Sequence, residues 1–97
     1  MKVRLLLPAR RELRVAVNYY NLQRVNLGTE FREEAWATIQ RIKEFPLAWH
    51  PLGGNIRRCQ LIRFPYGIIY EPSQNEIIVI AVACLHQAPE YWRDRVK

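Results

Sequence analysis

Two cysteines, two histidines, four glycines and three lysines are few for a chain of 97 residues, and each scarcity excludes something. Two cysteines build no disulfide framework. Cys59 and Cys84 stand inside apolar stretches and form no CxxC pair, so they read as small buried hydrophobes. His50 and His86 lack a metal-ligand spacing such as HExxH, so no structural zinc, catalytic metal or other cofactor is expected. Four glycines and six prolines are too few for a linker or a fibrous repeat. Long apolar runs are missing too: the longest, 77–85, reaches about half of the ~20 residues that span a bilayer. Leu5, Leu6 and Leu7 fall short of the ~7–15 residue apolar core of a signal peptide. The expectation is a cytoplasmic chain, complete from Met1, with no membrane partner.

What is present is arginine. The chain carries 15 Lys plus Arg against 9 Asp plus Glu, a net charge of +6, and 12 of the 15 cations are Arg. The guanidinium is a planar fork that grips phosphate or carboxylate with two hydrogen bonds. An anionic partner, nucleic acid or acidic protein, therefore stands beside the plainer alternative of a solvated basic surface. With 49% hydrophobic and 25% charged residues, the composition is that of a globular chain. The length predicts one domain, 1–97.

Pro8, Pro46, Pro51, Pro65, Pro72 and Pro89 fall between periodic segments, where a residue without an N–H is tolerated. Residues 3–7 read as a short strand. In 9–24, Leu13, Ala16, Val17 and Tyr20 form one helical stripe, with Arg10, Arg11, Arg14 and Asn18 opposite. Gly28 is the expected left-handed residue closing that helix, and Thr29 the expected cap of a second. In that second helix Glu30, Glu33 and Glu34 sit where the dipole favours anions, and Phe31, Ala35, Thr38, Ile39 and Ile42 make the stripe. A short link makes the two helices an antiparallel hairpin. Residues 47–55 read as a loop. Residues 56–64, 66–71 and 76–85 are β-branched and aromatic, hence strands of an antiparallel meander. A short helix, 90–96, follows Pro89.

The predicted fold is α+β, in the order β-α-α-β-β-β-α: a small, mostly antiparallel sheet with a helix hairpin on one face. Ile77 to Ala83 shows no alternation, so that strand needs cover on both sides. The second cover is the C-terminal helix, a bound partner, or nothing but solvent.

The pattern Val17-Asn18-Tyr19-Tyr20, Leu27-Gly28, Phe31, Ile56-Arg57-Arg58, Phe64-Pro65-Tyr66-Gly67-Ile68-Ile69-Tyr70, Ala81-Val82 and Pro89-Glu90-Tyr91-Trp92-Arg93-Asp94-Arg95 resembles the RelE/ParE superfamily of bacterial toxins, the plasmid-stabilisation proteins, and is closer to the ParE-like branch. The resemblance covers nearly the whole chain. It implies a growth-inhibiting toxin of a type II toxin–antitoxin system, partnered by a cognate antitoxin that wraps its surface. ParE-like members inhibit DNA gyrase; RelE-like members cut mRNA on the ribosome. Nuclease-like relatives place an arginine where Gly67 stands, a histidine at Cys84 and a basic residue at Gln87, and these departures favour a gyrase-binding toxin over the endoribonuclease. A relative that retains only antitoxin binding is a third possibility.

Cleavage of RNA needs a base for the 2′-hydroxyl, an acid for the leaving oxygen and cations on the phosphate. The candidates are Arg57, Arg58 and Arg63 as cations, with His86 and Tyr91 as proton carriers. For target binding the candidates are Arg57, Arg58, Arg63 and Arg93. Arg57 and Arg63 share strand parity, while Arg58 points to the other face. The plainer alternatives are an Arg58 ion pair with Glu71 or Glu76, arginines that guard a sheet edge, a solvated His86, and Tyr91-Trp92 packed on the sheet.

Overall fold

The structure, a computed structural model, describes residues 1–96. Its elements are β1 (Lys2–Leu5), α1 (Leu7–Gln23), α2 (Leu27–Glu44), β2 (His50–Gly53), β3 (Ile56–Gln60), β4 (Tyr66–Ser73), β5 (Glu76–Cys84) and a 3-10 turn at Arg93–Arg95. The strands form one sheet in the order β1-β5-β4-β3-β2. Only β1 and β5 run parallel; the other pairs are antiparallel. The α+β architecture and the helix hairpin on one face are as expected.

The helices form where the stripes place them, but their junction differs. Asn26, not Gly28, takes the left-handed conformation, with φ 68°. Asparagine is one of the few non-glycine residues that visits this region readily. Gly28 lies inside α2 instead, and its N–H donates to Asn21 Oδ1 at 2.8 Å. A Cβ on Gly28 would stand 2.1 Å from the Val17 carbonyl oxygen. The glycine is there for close approach of the helices, not for the turn. Thr29 does not cap α2, which begins two residues earlier.

Residues 47–55 are not all loop: β2 pairs His50 with Arg58 and Pro51 with Arg57. As an edge strand it needs only one ladder, so a proline is tolerated there. The strand expected over 56–64 stops at Gln60. The turn that follows is anchored to α2, because Glu34 accepts the backbone N–H of Ile62 and of Arg63. An aromatic cluster closes this corner: Phe31 meets Phe64 at 5.1 Å and Tyr66 at 4.9 Å, and Tyr20 meets Phe64 at 4.9 Å between centroids.

The missing alternation in β5 has a local cause. Tyr70 pairs with Val79 and Ile69 with Ala81, which leaves Ile80 as an extra residue. Such a bulge shifts the facing of the residues beyond it. Ile77, Val79 and Val82 pack beneath the helices, while Ile80, Ala81 and Ala83 join a second cluster on the opposite face with Ile56, Ile69 and Trp92. The second face is thus covered partly from within the chain. Its cover is a strap rather than the expected helix over 90–96: Glu90 is left-handed at φ 64°, and only the 3-10 turn is regular. So short a segment lacks the length to pay for helix nucleation.

Candidate functional site: an arginine-lined cleft under the strap

The strap leaves the sheet edge after β5 and returns over the face away from the helices. Glu12, on α1, fastens it. Glu12 Oε2 accepts the Tyr91 hydroxyl at 2.6 Å and Arg95 Nη2 at 2.9 Å, while Oε1 accepts Arg95 Nη1 at 2.9 Å and the Val82 N–H at 3.0 Å. Arg95 Nη1 also donates to the Ile80 carbonyl at 3.1 Å. β1 ends at Leu5, opposite Val79, so Ile80 and Val82 have no strand on that side. The ion pair satisfies their free backbone groups.

Between strap and sheet lies a cleft of about 250 Å³. Ile69 and Ala83 from the sheet, Leu52 from β2 and Trp92 from the strap give it apolar walls. Arg58, Arg93 and Glu90 supply its charge, two cations and one anion. Arg93 is committed: its Nε donates to Glu90 at 3.0 Å, its Nη2 to the Leu52 carbonyl at 3.2 Å, and its guanidinium lies 4.4 Å from the Trp92 ring centroid. Arg58 is half-buried and makes no ion pair among the described residues, and its buried Nε has no hydrogen-bond partner. Its aliphatic stem lies across Gly67, where a Cβ would stand 3.0 Å from Cγ and 3.1 Å from Cδ.

The cleft therefore gathers Arg58, Arg93 and Tyr91 from the candidate residues and leaves out the others. Arg57 and Arg63 both turn toward the helix side, at opposite ends of α2: Arg57 by its place in β3, Arg63 through the turn beyond β3 that Glu34 anchors. Arg57 Nη1 donates to the Trp49 carbonyl at 3.0 Å. Arg63 pairs with Glu30 at 2.6 Å, which holds the Glu30 carboxyl below its ordinary pKa. His86 is exposed in the turn after β5 and is not part of the cleft lining. Arg58 does not pair with Glu71 or Glu76, and Glu76 instead bonds to Arg4 at 3.4 Å. Tyr91 is bound through its hydroxyl, and burial, with the Glu12 hydrogen bond, pushes its pKa well above the ordinary phenol value.

Sequence reasoning overlooked two contributors, Glu12 and Arg95, and one neighbour of the cleft, His50. Glu12 lies three residues after Ala9 and four before Ala16, both buried, and a carboxylate at that spacing on a buried helix face was the available signal. His50 stands directly across from Arg58 in the β2–β3 ladder, which nothing local announces. Arg95 reads as one more surface cation until its partner is known. Among the described residues no group of three His, Cys, Asp or Glu could hold a metal. No helix there is long and apolar enough to cross a membrane.

A helix hairpin packed on a five-stranded sheet, with a basic cleft on the far face, defines a small α+β domain also seen among toxins of toxin–antitoxin systems. A solved chain described as the chromosomal ParDE TA system from P. aeruginosa superposes with a TM-score of 0.76 at 12% identity, covering 87% of this chain and 95% of that one. The family described as the ParE toxin of the type II toxin–antitoxin system parDE matches residues 3–91. The chain belongs to the ParE toxin family of type II toxin–antitoxin systems. No curated protein matches it by sequence.

Proposed function

We propose that this toxin arrests growth by binding an essential target, with DNA gyrase the favoured one, and that a cognate antitoxin neutralises it. The observation that carries the reading is the shortage of groups free to move protons in the cleft. Tyr91 is tied to Glu12, with burial raising its pKa, Glu90 is paired with Arg93, His86 is outside the lining, and Arg57 and Arg63 are engaged elsewhere. A surface with one uncommitted cation against apolar walls is suited to recognition.

For the antitoxin, the uncovered apolar surface lies on α1 more than on the sheet. Val15, Tyr19 and Leu22 recur at helical spacing and are 65%, 52% and 86% exposed. Arg10, Arg11 and Arg14 are exposed on the same helix. An acidic amphipathic segment complements such a stripe, and its association should slow as salt rises.

The deciding experiment is induced expression with two readouts, plasmid supercoiling and the ends of ribosome-bound mRNA. The expected result is disturbed supercoiling with intact mRNA, retained by His86→Ala and weakened by Arg58→Glu. His50, exposed outside the cleft lining but paired across the ladder with Arg58, whose cleft also holds Tyr91, supports a second reading as a ribosome-dependent mRNA endoribonuclease. Codon-phased cleavage lost on His50→Ala or His86→Ala would establish that reading instead. No growth arrest at all, with antitoxin binding intact, would mark an inactive relative.

A further inference from the structure

We infer that the cleft under the strap is a docking site for an extended protein segment carrying a carboxylate beside apolar side chains, with Arg58 as the carboxylate receptor. The inference deepens the reading of this surface as a binding face. Three observations carry it. Arg58 is the cleft's one cation without an ion pair among the described residues, and its Nε is buried without a partner. A buried donor left unbonded is costly, and an incoming carboxylate removes that cost. Leu52, Ile69, Ala83 and Trp92 give the cleft apolar wall, and its one acidic lining residue, Glu90, is already neutralised by Arg93, so an occupant must offer apolar contact as well as a charge for Arg58. Gly67 leaves room for the Arg58 stem to lie flat on β4, and a stem packed in this way has less freedom to lose when a ligand binds.

Charge complementarity selects the occupant. A nucleic acid backbone presents an anion at every step and is held by several free cations. Here Arg93 is already engaged by Glu90, Leu52 and Trp92, which leaves one. A single carboxylate flanked by aliphatic side chains fits one cation between apolar walls. In an extended segment, residues i, i+2 and i+4 share a face, so the matching pattern is apolar–x–acidic–x–apolar.

The test uses the full chain, labelled with nitrogen-15, and NMR titration with four probes. These are the blocked hexapeptide Leu-Ser-Glu-Ser-Leu-Ser, the same peptide with Gln for Glu, inorganic phosphate, and a hexamer of thymidylate. The expected result is saturable shifts at the Arg58 Nε–H and the Gly67 and Ala83 amides with the Glu peptide. The Gln peptide should bind about tenfold more weakly or worse, since a hydrogen bond to a charged group is being lost. Arg58→Gln should erase that difference. Gly67→Ala keeps every charge but moves the Arg58 stem, and should weaken the Glu peptide severalfold. If Arg58→Gln fails to fold, Arg58→Lys serves, keeping the charge and losing the planar fork. Equal binding of the two peptides, shifts confined to α1, or tighter binding of phosphate or thymidylate at the same amides would each overturn the inference. The titration involves no gyrase, so its failure is separable from a failure of the supercoiling assay.

Discussion

Glu12 and Arg95 meet face to face, carboxylate against guanidinium, through two parallel hydrogen bonds of 2.9 Å each. The pair ties the first helix to the last described turn, across the open side of β5. Both side chains are largely withdrawn from water, at 21% and 17% exposure. Glu12→Ala strands the Arg95 cation, the Tyr91 hydroxyl and the Val82 N–H together. The expected loss is about 2–4 kcal/mol of unfolding free energy, measured by urea denaturation. A double-mutant cycle with Arg95→Ala should give a coupling of roughly 1–3 kcal/mol. Additive effects would mean the pair is ornamental.

Gly28→Ala places a Cβ 2.1 Å from the Val17 carbonyl oxygen. The obstacle is backbone, so the helices must separate. Despite alanine's better helix propensity, the variant should lose at least ~2 kcal/mol through overpacking. A gain in melting temperature would show that the contact yields without cost.

Ile80 is fully buried at the bulge of β5. Ile80→Ala should cost about 2–5 kcal/mol and loosen the strap that packs on it. Hydrogen exchange should quicken at residues 91–96 before it quickens in α1 or α2. Uniform acceleration across the chain would refute a local role.

Tyr66 and Tyr70 have phenol pKa values pushed up to about 12 from an ordinary 10.0, chiefly by burial. The Tyr70 hydroxyl also donates to the Pro46 carbonyl at 2.6 Å. Folding favours the neutral form, so the stability they contribute is whole below pH 10 and lost as pH rises toward 12. Ultraviolet titration should therefore show these two phenols ionising late, together with the Glu12-bound Tyr91, with unfolding in the same window. Ionisation of both near pH 10 in the folded chain would contradict the burial assigned to them.

Features that depend on period and composition were legible in the sequence: the two helical stripes, the three β-branched strands and the family resemblance. The illegible ones depend on contacts far along the chain. β2, with Pro51 and Gly53, has no strand propensity and exists because β3 offers it an edge. The role of Gly28 is set by Val17 on another helix, and that of Glu12 by residues 91 and 95. In the candidate site, strand parity foretold that Arg58 and Arg57 would face opposite ways; for Arg63 it did not apply, because β3 ends at Gln60. Which arginines lacked partners could not be read, because Glu30, Glu90 and the carbonyls of Trp49 and Leu52 come from other elements.

The parallel pairing of β1 with β5 also sets a schedule. Lys2 pairs with Glu76 and Leu5 with Val79, so the first strand to be synthesised waits for the last. At translation speeds of ~5–20 residues per second, that wait is roughly 4–15 s. Throughout it the helix hairpin can form, but β1 has no ladder and the cleft has no roof, since Trp92 and Arg95 are made later still. The cleft is therefore closed only after residues 92–95 have been made. The exposed hairpin stripe of Val15, Tyr19 and Leu22 can thus be complete while the cleft on the far face does not yet exist, so the two surfaces become available one after the other.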